Sequence, residues 1–150
     1  MSDIPTYLDQ RLPSIAEEAL KAAKIAVNQI RSVAAGNNQL GNSRLWLQYD
    51  APIQREFENA LNKAARLISE IAGSAASQYA GHLEKLASGL IEQIIQWREE
   101  GRGKGRYNDN NGLNAHIDRV RVALTRAKDN IIGDFRFGVV EGKQMASNPV

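Results

Sequence analysis

Two histidines, His82 and His116, and no cysteine are all the chain offers for soft-metal or thiol chemistry. Without cysteine there is no disulfide scaffold, thiolate zinc site, iron–sulfur cluster or cysteine nucleophile. A zinc or di-iron site on helices needs a Glu or His three or four residues from a His, because that spacing puts both ligands on one face. The residues three before the histidines are Tyr79 and Leu113, and four before are Gln78 and Gly112. No metal site and no cofactor is expected. Each histidine flanks an apolar stripe, which places it at the edge of a helical core.

The glycine-rich stretch 101–112 fails both phosphate-loop patterns. A Walker loop needs Gly-Lys followed by Ser or Thr, whereas Gly103-Lys104 is followed by Gly105. A dinucleotide fingerprint needs Gly-x-Gly-x-x-Gly between a strand and a helix; this one is Gly-x-Gly-x-Gly after a helix. No arginine lies four to six positions before either histidine, as an Arg–His helical nuclease would require. Serines are plentiful but have no base–orienter pair. Adjacent acids such as Glu17-Glu18 and Glu99-Glu100 diverge on a helix and read as solvated charges. The chain is expected to be non-enzymatic.

Charge offers the more informative signal. There are 19 Lys and Arg against 17 Asp and Glu, a net charge of only +2. The distribution is uneven: residues 98–128 hold eight basic and four acidic side chains. On a helical wheel the core stripe of the last helix centres near Val120 and Leu124. Arg119 and Arg126 then project away from it, with Val122 opposite it. A contact surface for nucleic acid or for a partner is therefore expected at Arg98, Arg102, Lys104, Arg106, Tyr107, Arg119, Val122 and Arg126. The loop and helix face would follow phosphates, and Tyr107 would stack on a base.

Over Leu113 to Gly138, with Ile117-Asp118, Val122-Ala123-Leu124 and Asn130-Ile131-Ile132, the chain resembles the last bundle helix of rod-shaped plant-virus coat proteins. The resemblance implies a cysteine-poor four-helix bundle whose loop before that helix lies against RNA. It spans one helix, and the family's paired arginines and aspartates before it are not reproduced.

The elements that would carry these residues follow from apolar rhythm. Ala16, Leu20, Ala23, Val27, Ile30 and Ala34 recur every three or four positions, predicting a helix over 14–36 that starts on the capping-box spacing Ser14 to Glu17. Residues 37–50 read as a connector whose Leu45, Trp46, Leu47 and Tyr49 lid the core. A second helix over 51–72 has Pro52 in its first turn and the stripe Ile53, Phe57, Ala60, Ala64, Leu67 and Ile71. A third, over 76–100, carries Tyr79, Leu83, Leu86, Leu90, Ile94 and Trp97. Gly73-Ser-Ala-Ala-Ser77 between them fits either a turn or one uninterrupted helix, and a break is favoured because a helix near 50 residues is far above the usual length. The fourth helix spans 113–137 on Leu113, Ile117, Val120, Leu124, Ala127, Ile131 and Phe135. No strand is expected, 101–112 is expected to be a flexible loop, and 142–150 a mobile tail.

The expected architecture is thus all-α: an antiparallel four-helix bundle forming one domain over 1–150. The N-terminus lacks a basic and then apolar leader. The greasiest stretch, 87–97, is interrupted by Glu92, Gln93 and Gln96, so no membrane partner is expected and the cytoplasm is the expected location. Helices one and two carry apolar residues beyond their stripes (Ala19, Ala22, Ala26 and Val33; Leu61, Ile68, Ala72 and Ala75). Faces that wide either close tightly through alanine or leave surface for a neighbour. The leading functional expectation is a bundle protein acting by self-association, as a homo-oligomer, or by docking another protein; the alternative is RNA or DNA binding or packaging through 98–128.

Overall fold

The computed structural model describes residues 3–38, 44–102 and 110–144. The chain is all-α, with three helical stretches, the middle one long and bent. The first stretch is α1 (Ile4–Gly36). The limbs of the bent stretch are α2 (Leu45–Ala72) and α3 (Ala80–Glu99), joined by a short 3₁₀ segment, Gly73–Tyr79. The last is α4 (Asn110–Arg136).

α3 begins at Ala80 rather than 76, because the 3₁₀ segment occupies the intervening residues, and α1 and α2 begin well before the sequence expectation, for one reason. α1 begins at Ile4 rather than near Ser14, so Ser14 is no cap and Pro13 lies inside the helix. A proline there removes one backbone hydrogen bond. Burial of Leu8, Leu12 and Ile15 outweighs that loss, since each fully buried aliphatic side chain contributes about 1.5–3 kcal/mol. Likewise α2 begins at Leu45, and Pro52 is interior and buried. Leu45, Tyr49, Ile53 and Phe57 recur every four residues and are all buried, so the apolar face starts a full two turns before the proline. Of the expected lid, Leu45 and Tyr49 face the core, Trp46 is half-buried against it and Leu47 is exposed.

The bend has a local cause. Gly73 has φ of 56°, a backbone region costly for any residue with a Cβ, and its N–H still closes on the Ser69 carbonyl. The limbs then run past α4 in opposite senses. Along α2, Asp50 meets Arg119 and Arg66 meets Glu141; along α3, Arg98 meets His116, Glu92 meets Arg121, and Glu84 meets Lys128 and Arg136. One apolar cluster from Leu8 to Val140 joins all the elements.

After α4 the chain turns at Phe137 and Gly138 and forms a two-stranded antiparallel hairpin, β1 (Val139–Val140) with β2 (Lys143–Gln144). No strand was expected here. Glu141 and Gly142 have φ of 53° and 78°, the positive pair a tight hairpin turn requires. Glu141 is ion-paired with Arg66 and Val140 is buried in the core. Residues 142–144 are therefore ordered in a hairpin rather than part of a tail, and 110–112 are helical rather than loop. The rest of the expected loop beyond Arg102, and the tail from 145, lie outside the described residues. No described helix is long and apolar enough to cross a membrane.

Candidate functional site

Where α2 begins, α3 ends and α4 begins, four polar side chains meet among three aromatic rings. Asp50 stands on the second turn of α2, Arg98 on the last turn of α3, and His116 and Arg119 one turn apart on α4. Asp50 accepts twice: from His116 Nδ1 at 2.6 Å onto Oδ1, and from Arg119 Nε at 2.7 Å onto Oδ2. Arg98 Nε donates to His116 Nε2 at 3.0 Å. Because Nε2 accepts, the ring proton sits on Nδ1, and Asp50 receives it.

The rings come from the early start of α2. Trp46 lies one turn before Asp50 and Tyr49 immediately before it, with centroids 5.3 and 6.0 Å from the His116 ring. The Arg98 guanidinium lies 4.6 Å from the Trp97 ring, 5.2 Å from Tyr49 and 6.0 Å from Trp46, within cation–π range of each.

Burial and neighbouring charge set the protonation states. His116 is fully buried, and its pKa is lowered to about 4, first by burial and then by the Arg98 charge, against the opposing bond to Asp50. It is neutral at pH 7. Burial also lowers Arg98 to about 10, which leaves it protonated, and raises Tyr49 against the pull of Arg31 and Arg98. An Asp–His pair is the orienting half of a general-base dyad. Here the nitrogen that would take a proton already holds an Arg98 N–H, and the ring has no exposed edge. In this geometry the group clamps α2, α3 and α4 together.

The residues singled out from the sequence divide into separate settings. Arg98 and Arg119 meet at the clamp, so Arg119 turns to α2 instead of projecting outward. Arg102 makes two bonds of 2.8 Å to Glu99, and Arg121 makes bonds of 2.8 and 3.3 Å to Glu92. Each pairing lowers the pKa of its carboxylate, chiefly through the hydrogen bond. Val122, 57% exposed, and Arg126 stay on the outer face of α4. Lys104, Arg106 and Tyr107 lie outside the described residues. His116 is interior rather than at the core edge, whereas His82 is half-buried, 3.8 Å from Asp9. That pair rims a groove of about 430 Å³ between α1 and α3, over Leu8, Leu12, Leu86 and Leu90. Those leucines are already covered, so the groove has little apolar surface left to offer.

Sequence reasoning missed Asp50, His116 and the three rings. One signal was present: His116 occupies a position on the Leu113–Ile117–Val120 face of α4, where a polar residue must find partners once buried.

A second feature lies on α1. Its buried stripe runs through Ala16, Ala19, Ala23, Val27 and Ala34. Beside it, roughly 90° around the helix at 3.6 residues per turn, run Ala22, Ala26 and Val33, and Ile25 lies farther round, nearly opposite the buried stripe. The alanines are half-buried, Ile25 is 50% exposed and Val33 66% exposed.

Among the described residues no group of three His, Cys, Asp or Glu is placed to hold a metal ion. Compared with family models, curated proteins and solved structures, the chain matches none.

Proposed function

We propose that the chain is a non-enzymatic four-helix-bundle protein of the cytoplasm that works by associating with protein: a second copy of itself, or another chain. The observation that carries this reading is the second apolar stripe of α1. Ile25 is 50% exposed and Val33 66% exposed on the side of α1 away from the buried stripe, and the half-buried Ala22 and Ala26 beside them would allow close approach of another helix. Counting four helices is supported by Gly73, which separates α2 from α3, and by the opposite senses in which those limbs pass α4.

The described cations favour this reading over nucleic-acid packaging. Arg102, Arg119 and Arg121 each face a carboxylate, so much of the local positive charge is already neutralised inside the fold.

A cysteine-free chain makes the test simple. Val33→Cys places one thiol on the stripe, to be labelled with an environment-sensitive fluorophore and titrated with unlabelled wild-type protein. A blue shift that saturates supports self-association; a shift only on addition of a different purified protein supports hetero-docking. No shift in either case contradicts the reading.

A further inference from the structure

The leucine floor of the groove between α1 and α3 is already covered, so its polar groups decide what it can hold. Asp9 and Pro13 line its α1 wall; His82, Lys85, Gly89 and Gln93 line its α3 wall. Its volume, about 430 Å³, is that of a small-molecule site.

A residue that weakens its own helix lines each wall. Pro13 has no N–H to give, so the Asp9 carbonyl loses its usual helical donor. Gly89 lies inside α3, where a glycine lowers helix stability. A Cβ at Gly89 would meet nothing within 4 Å, so no close packing demands the glycine. It leaves the wall bare between Lys85 and Gln93. Local rules broken on both walls of one groove are expected where a ligand needs the room.

Charge divides between the same walls. On α1, Asp9 offers its carboxylate and its backbone carbonyl as acceptors, which suits the several donors of an ammonium group. His82 stays 3.8 Å from that carboxylate, beyond hydrogen-bond length. On α3, Lys85 is exposed and forms no ion pair among the described residues, with Asp9 or any other acid. A ligand of one sign alone would meet a like charge on the opposite wall. A ligand that carries both signs satisfies both walls.

We propose that this groove binds a small zwitterion, its ammonium group on Asp9 and its carboxylate on Lys85. The shared chemistry is that of an unblocked amino acid; its source is either a free amino acid or a dipeptide. The groove follows residues 8–16 of α1, before the stripe at 22–33, so it and the association reading stand or fall separately.

The full chain, isotope-labelled for NMR, is titrated with leucine and with leucyl-leucine in the millimolar range. Leucinamide, without a carboxylate, and N-acetylleucine, without an ammonium group, are the controls. Saturable shifts at the amides lining the groove are expected with a zwitterion. Each control should bind about threefold to fivefold more weakly, as the loss of one exposed ion pair implies. The tighter of the two zwitterions names the source.

Lys85→Gln should weaken leucine by the same factor and leave leucinamide unchanged, which a merely structural role would not do. Gly89→Phe places a ring in the groove and should abolish binding; because phenylalanine is the better helix former, an undiminished melting temperature verifies that it folds. The proposal is overturned if neither zwitterion gives a saturable shift, if both controls bind as tightly, or if binding survives Gly89→Phe.

Discussion

His116 Nδ1 and Asp50 Oδ1 lie 2.6 Å apart, joining α4 to α2 through a ring that has no exposed surface. This one bond fixes the ring tautomer, turns Nε2 toward Arg98 and so brings α3 into the same clamp. Stability should depend on it in several separable ways.

Acid should weaken the fold in a window set by His116. Its folded pKa of about 4 lies below the ordinary 6.5, so on acidification the unfolded chain takes up the proton first. The stabilisation is complete above about pH 6.5 and is lost as pH falls toward about 4, a difference of about 3 kcal/mol by linkage. Urea unfolding at pH 7 and pH 4.5 should show that loss. In His116→Gln, which keeps a donor and an acceptor, the difference between the two pH values should shrink. An equal loss in both proteins would place the acid sensitivity elsewhere.

Removing the shared acceptor should cost more than a surface pair. Asp50→Ala strips acceptors from both His116 and Arg119. A destabilisation of about 1–3 kcal/mol is expected in urea melts, at the lower end of partly buried ion-pair losses because Asp50 retains some exposure. A change within about 0.5 kcal/mol, the scale of ordinary surface substitutions, would show the clamp to be energetically idle.

Neighbouring positions on α4 should behave as opposites. Leu124 is fully buried and Val122 is 57% exposed. Leu124→Ala should destabilise by about 2–5 kcal/mol. Val122→Ala should stay within about 0.5 kcal/mol. Thermal melts of the two variants make the comparison.

Replacing Arg102, Lys104 and Arg106 together by Ala should leave the helical circular-dichroism signal unchanged. Arg102 is exposed and bonds to Glu99 within its own turn. A sharp drop in melting temperature would instead mean that this segment supports the core.

The all-α class was legible because burial repeats. Leu113, Ile117, Val120 and Leu124 on α4, like Leu83, Leu86, Leu90 and Ile94 on α3, are spaced and buried as a helix demands. The starts of α1 and α2 were not legible, because Pro13 and Pro52 signal a first turn locally while Leu8, Leu12, Leu45 and Tyr49 pay more through distant packing. The clamp was partly hidden for a related reason. Arg98 and Arg119 stood out by charge, but Asp50 is 66 residues from His116 in sequence, and no local pattern announces a partner that far away.

The association reading is most directly tested by molar mass from light scattering across a wide concentration range. Wild-type protein is expected to rise above its 16.5 kDa chain mass as concentration increases, and Ile25→Glu with Val33→Glu to remain at that mass while keeping its helical signal. A wild-type mass fixed at 16.5 kDa throughout, or a double variant that still rises, would contradict self-association through α1.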